Sequence, residues 1–347
     1  MKPYFTLNKN IVLQQYNKVK ELADYVSYSS KTNPLITKIL EQNTDAMFSI
    51  HLDHELKNVT DKSRILFLAQ AWNEIQIKSL IEQGINWFVV DNEYDLDVLT
   101  EYLNQKKTTD EKINLLLRLK LQERTLKTEK YYVFGMESKV INQKIKELST
   151  HKNINELGIH FHRKTQNMAE WNLQYEIEEV IEPEILQKIS VLNIGGGLPS
   201  EYANTNVNVL QSIFNKITEF KLWSNTKNIK LMLEPGRFIA APAGKLHAEI
   251  IAIHDETIIV NASVYNTDMD ALIVPVKLLV DGELEKENKE AHPYVIKGLT
   301  PCSLDLFRYK IYLKEPKVGD KITFLNAGAY NFTTDFCDLE KLETIQE

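Results

Sequence analysis

Short apolar runs recur through the first two thirds of the chain, and polar or helically spaced stretches separate them. The runs occupy residues 25–30, 46–51, 64–69, 86–90, 114–120, 157–162, 191–194 and 230–233. Several are apolar throughout, as parallel strands buried on both faces are. Residues 73–83, 137–148 and 207–220 carry helical spacing between them. Repeated β-then-α units of this kind predict an α/β architecture, a (β/α)8 barrel, with an open doubly wound sheet as the alternative.

After Lys245 the pattern changes. Residues 250–253, 257–260, 272–280, 309–313 and 321–325 read as strands split by turn residues, with no long helix between them. The expected organisation is a barrel over residues 7–245 followed by a C-terminal all-β domain over 246–347. Residues 1–6 are candidates to add a strand to that second domain.

Composition narrows the setting. The 347 residues are 43% hydrophobic, ample for more than one core. The net charge is -7 with both signs interspersed, so no nucleic-acid partner is expected. No apolar run is long enough for a membrane span, and residues 1–6 lack the apolar core of a secretory signal. Cys302 and Cys337 are too few for a disulfide framework, so a cytoplasmic location is expected. The charge run 281–290 reads as a solvated loop, and the polar stretch 122–133 as a lid-like segment.

The candidate chemistry gathers where barrel active sites form, at the C-terminal ends of the strands. Lys31 follows the first run, His51 ends the second and Arg118 lies near the end of the fifth. His162 ends the sixth, Gly195, Gly196 and Gly197 follow the seventh, and Glu234-Pro235-Gly236-Arg237 follows the eighth. Taken singly, each has a bland reading as a solvated charge, a turn or a structural histidine. On one rim, they fit pyridoxal 5′-phosphate (PLP). A lysine whose pKa is lowered can hold PLP as a Schiff base. The glycines can bring backbone N–H groups close to a phosphate, Arg237 adds a fixed positive charge, and Thr165 adds a hydroxyl. His162 can stack on the pyridine ring. An ionised Glu234 favours the protonated ring nitrogen, which strengthens the ring as a sink for carbanion electrons. This reading calls for no metal.

These segments resemble the fold-type III PLP-dependent decarboxylases, the alanine-racemase-like barrel group that includes ornithine, diaminopimelate and carboxynorspermidine decarboxylases. Tyr28-Ser29-Ser30-Lys31-Thr32-Asn33-Pro34 resembles the segment around the PLP lysine, and Phe134-Gly135-Met136 a short loop of the family. Gly158-Ile159-His160-Phe161-His162-Arg163-Lys164-Thr165-Gln166 resembles the segment with the ring-stacking histidine, at the position of His162. The glycine triplet and the Glu234–Arg237 segment resemble the phosphate loop and the pyridine-nitrogen acid. Gly298-Leu299-Thr300-Pro301-Cys302-Ser303-Leu304-Asp305 resembles the catalytic-cysteine segment, and Gly328-Ala329-Tyr330 the motif whose tyrosine binds phosphate. The likeness runs nearly end to end.

The resemblance implies a head-to-tail homodimer with shared active sites, in which Cys302 reprotonates the carbanion after CO2 is lost and Asp305 shapes the same pocket. Cys302 falls one position later than the family spacing, with Pro301 where the cysteine is often found; a buried structural thiol is its bland reading. The acidic pair of the ornithine enzymes is not evident at Ile273-Val274, and Val274 stands where diaminopimelate enzymes have an arginine. Asp268 and Asp270 remain candidates for a distal substrate cation, with a solvated turn as their alternative. Arg163-Lys164 adds positive charge near the pocket. The expected activity is decarboxylation of an amino acid, with a basic or diamino acid or a polyamine precursor as substrate. A racemase, a PLP carrier and a catalytically inactive regulator are the competing readings. Glu234 argues against the first, the second domain against the carrier, and retention of Lys31 and Glu234 against the last.

Overall fold

The computed structural model describes residues 1–105, 112–121 and 134–347, so the lid-like stretch 122–133 lies outside the described residues. A short strand β1 (Tyr4–Leu7) and a helix (Lys9–Leu22) precede the barrel strands. These are β2 (Tyr25–Ser29), β3 (Met47–Ile50), β4 (Ile65–Ala69), β5 (Trp87–Val90), β6 (Ile113–Arg118), β7 (Ile154–His160), β8 (Val191–Asn193) and β9 (Lys230–Leu233). Each pairs in parallel with the next, and β9 pairs with β2, which closes the barrel.

The interior changes character along its axis. Leu66, Trp87, Val89, Leu116, Val191 and Met232 form one buried cluster, with Tyr25, Met47 and Leu68 packed against it. Side chains from strands as far apart as β4 and β9 can meet only inside the closed wall. Towards the strand C-termini the inward residues turn polar: Ser27 and Ser49 share a 2.8 Å hydrogen bond, and Asn193 and Glu234 follow in the same region. Gly158 on β7 is needed for packing, since a Cβ there would meet Leu116 Cδ2 at 2.6 Å.

Two caps set the start of the site. The helix Pro34–Asn43 begins with Pro34, and the Asn33 side chain accepts from the Leu35 N–H. The helix Glu74–Glu82 is capped by the Asn73 side chain, which accepts from the Gln76 N–H. The first cap fixes where β2 must end, and so confines Lys31 to the single turn Ser30–Thr32.

The chain divides into two compact units. One holds the barrel, Tyr16–Pro199 with Val209–Gly236; the other holds Met1–Gln15, Ser200–Asn208 and Arg237–Glu347. The division therefore differs from a break after Lys245. Residues past Gly236 already belong with the sheet, because the Ala241 carbonyl accepts from the Gly328 N–H and the Ala243 carbonyl from the Asn8 N–H. Ser200–Asn208 joins them through the Ala203 N–H, which donates to the Lys277 carbonyl.

This unit is a sheet of β10 (Gly244–His254), β11 (Thr257–Val260), β12 (Leu279–Val280), β13 (His292–Lys297), β14 (Leu306–Leu313), β15 (Lys321–Leu325) and β16 (Glu343–Gln346). The order is β12-β15-β10-β11-β13-β14, and β1 pairs antiparallel with β10 and parallel with β16. The expected strand at 272–280 is mostly absent. Asp270–Ile273 is a helical turn whose last N–H groups return to Met269 and Asp270, and only Leu279–Val280 pairs. Pro275, with no N–H to give a ladder, separates the two.

Candidate active site

Lys31 stands one turn beyond β2 and is accessible at the strand ends. It is reachable yet crowded by protein, so desolvation holds its amine below the ordinary lysine pKa. Arg118 pushes the same way, while the carboxylates of Glu55 and Glu234 oppose it. Arg118 ends β6 and is tied down: its Nη1 lies 3.0 Å from Asp91 Oδ1, and its guanidinium lies 4.8 Å from the Phe134 ring centroid. It therefore acts in this unit as a paired, fixed charge rather than an open hook.

Glu234, one residue past β9, is 7% exposed and fully engaged. Its Oε2 accepts from Ser49 Oγ at 2.6 Å, and its Oε1 accepts from Asn193 Nδ2 at 2.6 Å. His160 Nε2 lies 3.1 Å from the same Oε1. Burial alone drives a carboxyl pKa up; here the His160 imidazole and the Ser49 hydroxyl outweigh it, and the pKa falls to about 2. Glu234 is thus an anion held in place from three sides.

His162 lies two residues beyond the end of β7. Its Nδ1 accepts from the Gly196 N–H at 3.2 Å. Desolvation and then the neighbouring His160 and Arg118 lower its pKa to about 4, so the ring is neutral near pH 7. His51 is held at about 4 by desolvation and by Lys31.

The glycines form a tight cradle. A Cβ on Gly195 would meet the Phe161 carbonyl at 2.6 Å, one on Gly196 the Glu234 carbonyl at 2.5 Å, and one on Gly197 the Lys164 carbonyl at 2.5 Å. Gly195 and Gly197 also sit at φ +68° and +98°, where a side chain strains the backbone. The Gly195 N–H donates to Asn193 Oδ1 at 2.9 Å and the Gly196 N–H to His162 Nδ1, so this packing fixes the course of the loop backbone and engages two of its three N–H groups. A lysine of lowered pKa, a neutral imidazole face, this glycine loop and a buried carboxylate are groups that could hold the aldehyde, ring, phosphate and pyridine nitrogen of PLP. Gly236 is required beside them, because a Cβ there would run into the Thr32 side chain. Thr165 is exposed on the segment after His162.

Arg163 and Lys164 do not add free positive charge. Arg163 pairs with Glu170 and Glu176, and Lys164 with Glu170, so the expected cationic patch is neutralised locally.

In the other unit, Arg237 is buried and its guanidinium is gripped by both carboxylate oxygens of Asp270. Tyr202 Oη accepts from Arg237 Nη1 at 3.2 Å, and the Tyr330 ring centroid lies 4.9 Å from the guanidinium carbon. The sequence expectation that Asp270 is free for a substrate cation, or solvated in a turn, is corrected here: its charge is spent on Arg237. Asp268 is buried as well, and burial pushes its pKa up to about 7 against the opposing pull of Lys277 and Arg237.

The raised Asp268 pKa has a consequence for stability. Between the ordinary aspartate value of 3.8 and about 7 the folded chain keeps a proton that the unfolded chain releases, so stability falls as pH rises through that window. The loss amounts to roughly 3–5 kcal/mol above the window, at about 1.4 kcal/mol per unit. Asp268→Asn is therefore expected to raise Tm at pH 8 and leave it nearly unchanged at pH 4. Equal destabilisation at both values, by calorimetry, would contradict this.

Cys302 is half-buried and accepts or donates one hydrogen bond with Tyr265 Oη at 3.1 Å. Asp305 is 0% exposed, and its carboxylate binds main-chain N–H groups rather than facing an open pocket. Sequence reasoning missed Ser49, Asn193, His160, Asp91 and Tyr265. For Ser49 and Asn193 a signal existed, a lone polar residue inside an otherwise apolar strand.

Comparison with known proteins agrees with this fold. Residues 9–241 match the family model for the pyridoxal binding domain of pyridoxal-dependent decarboxylases. The diaminopimelate decarboxylase of Aquifex aeolicus is 24% identical over 362 residues, covering 95% of this chain and 82% of that protein. Among solved structures, the lysine/ornithine decarboxylase of Vibrio vulnificus with cadaverine superposes with a TM-score of 0.80 at 21% identity, over 99% of this chain and 94% of that one. The diaminopimelate decarboxylase of M. jannaschi gives 0.82 at 19% identity, over 99% and 86%. With the barrel, the lysine and the buried acid in place, the chain belongs to the pyridoxal-dependent decarboxylases. It is a PLP-dependent amino-acid carboxy-lyase, and PLP is its cofactor. No helix among the described residues is long and apolar enough to cross a membrane.

Proposed function

We infer that this chain removes the α-carboxylate of a basic or diamino acid, or of a related polyamine precursor, as a cytoplasmic head-to-tail homodimer with shared sites. The observation that carries the reading is the Glu234 cluster, an anion secured by Ser49, Asn193 and His160 at the barrel mouth. Lys31 would hold the cofactor's aldehyde carbon, the Gly195–Gly197 backbone its phosphate with Thr165, His162 its ring face and Glu234 its pyridine nitrogen. Bound PLP supplies the electron sink for the bond pair left when the carboxylate departs as CO2.

The chain's own groups do the rest. The lowered pKa of Lys31 makes its free amine easier to form, as a nucleophile and proton acceptor requires. Glu234 stays ionised throughout, so it holds a proton on its partner and does not take it. Neutral His162 offers a flat face without adding charge. Cys302 is the assigned proton donor: its S–H bond breaks as the new C–H bond forms, and the thiolate later regains a proton from solvent.

The substrate class draws on the named relatives, which act by their names on diaminopimelate, lysine and ornithine. With Asp270 committed to Arg237, Asp268 is the carboxylate left to read a distal cation, and a bound ammonium would favour its ionised form. Arg118 is already paired with Asp91, so it sets the local charge at the strand ends and is not an open hook for a substrate carboxylate.

A CO2-release panel with product mass spectrometry tests this. The compounds are L- and D-ornithine, lysine, arginine, meso-diaminopimelate, 2,4-diaminobutyrate and carboxynorspermidine, presented to PLP-loaded protein. An amine from one of them is the expected result and identifies the distal group. Silence from all, with the cofactor attached at Lys31, would overturn the substrate class.

A further inference from the structure

The Tyr265 hydroxyl and the Cys302 thiol meet at 3.1 Å, and both partners are fixed by the main chain. The Tyr265 ring stacks on Phe336 with centroids 4.1 Å apart and planes 24° off parallel. Its N–H donates to Ser263 Oγ at 3.1 Å, and its carbonyl accepts from the Thr334 N–H at 3.0 Å. On the other side, the Cys302 carbonyl accepts from the Asp305 N–H at 3.1 Å. The buried Asp305 carboxylate accepts from the Thr300 N–H at 3.0 Å, from Thr300 Oγ1 at 2.7 Å and from the Val264 N–H at 2.9 Å. One carboxylate thereby ties the cysteine turn to the residue beside Tyr265. The sulfur–oxygen contact is set by two anchored turns, not by two side chains free to swing.

Packing alone does not ask for this contact. Both residues are only half-buried, and a phenylalanine would stack on Phe336 equally well. We propose that Tyr265 is a positioning residue for Cys302: its phenol donates to the sulfur, aims the thiol, and steadies the thiolate left once the proton has gone to the substrate carbon. This role rests on reading Cys302 as the proton donor. In the step, the S–H bond breaks, a C–H bond forms, and the electron pair stays on sulfur. A neutral O–H binds a charged sulfur more strongly than a neutral thiol, so the contact favours the transferred state.

The electrostatics agree. The Cys302 thiol is held below its usual pKa by Tyr265 first, then by the N–H groups of Leu304 and Asp305, with the Asp305 charge opposing. The same contact raises Tyr265 to about 12, so the phenol keeps its proton to donate; Asp305 and Cys337 act on it in the same direction. The contact matters more in this chain because Pro301 stands where the family often has its cysteine, and Tyr265 secures the thiol at the displaced position.

The test uses full-length PLP-loaded protein with Cys337→Ser, so that Cys302 is the single thiol, and compares Tyr265 with Tyr265→Phe. The rate of alkylation by iodoacetamide is followed against pH, because only the thiolate reacts. The expected result is a higher midpoint in Tyr265→Phe, with alkylation at pH 7 slowed about tenfold. The pH above which amine product gives way to carbonyl product should move up with it. Phenylalanine keeps the stack, so a merely structural role would leave the midpoint where it was, and an unmoved midpoint overturns the proposal. Cys302→Ser, assayed alongside, separates the two ideas. If it leaves the amine-to-carbonyl ratio unchanged, the donor reading falls, and the role of Tyr265 falls with it.

Discussion

Replacing Glu234 with alanine lowers kcat about 10²–10³-fold, equivalent to about 3–4 kcal/mol, the scale of losing one preorganised electrostatic partner from a water-excluded site. The effect falls on turnover more than on cofactor affinity, because the phosphate cradle is built from the glycines and not from this carboxylate. The substitution also strips an acceptor from Ser49, Asn193 and His160. Each orphaned buried donor costs about 1–3 kcal/mol, so Tm falls as well. Glu234→Gln separates the two effects: it preserves much of the hydrogen bonding and loses the charge. Single-turnover kinetics with a PLP titration checks this, and undiminished turnover in Glu234→Gln would remove the charge from the explanation.

Lys31→Ala removes the covalent anchor. Borohydride should no longer fix cofactor to the protein, and kcat should drop by roughly 10³-fold or more, above about 4 kcal/mol. The fold should not suffer, because the lysine ammonium is already disfavoured by its surroundings and its loss relieves desolvation. The same variant probes the shared-site dimer. Lys31→Ala and Cys302→Ala subunits, each inactive or misdirected alone, should regain about a quarter of wild-type amine formation when mixed and allowed to exchange, because half the dimers then carry one intact site. No recovery, with exchange demonstrated, would argue for sites complete within one subunit.

Much of this architecture was legible before any coordinates. The apolar runs located the barrel strands to within a few residues, since strands buried on both faces leave little polar punctuation, and residues 230–233 coincide with β9. Lys31, His162 and Glu234 stood out because they follow those runs. The misreadings have physical causes. Residues 272–280 are apolar enough for a strand, but Asp270–Ile273 closes its own hydrogen bonds. β13 begins His292-Pro293 and β16 is largely polar, so neither carries the alternation that marks a strand. The pairs Arg237–Asp270 and Tyr265–Cys302 join residues 33 and 37 positions apart, and no local pattern announces them. Ser49 and Asn193 were overlooked because the apolar runs around them were read for burial and not for what a polar exception inside a barrel must bind.

The pairing of β1 has a meaning for how the chain assembles. Tyr4–Leu7 is synthesised ahead of every barrel strand, yet its partners are Gly244–His247 and Glu343–Gln346. Every barrel strand is synthesised in between, so the barrel can close while β1 still waits with two open edges. Pairings this distant are slow to form, and an unpaired strand edge invites other chains. Expression at low temperature or with a holdase should therefore favour native protein over aggregate. Weakening β1 should lower the yield of refolded protein more than it lowers the stability of what has already folded.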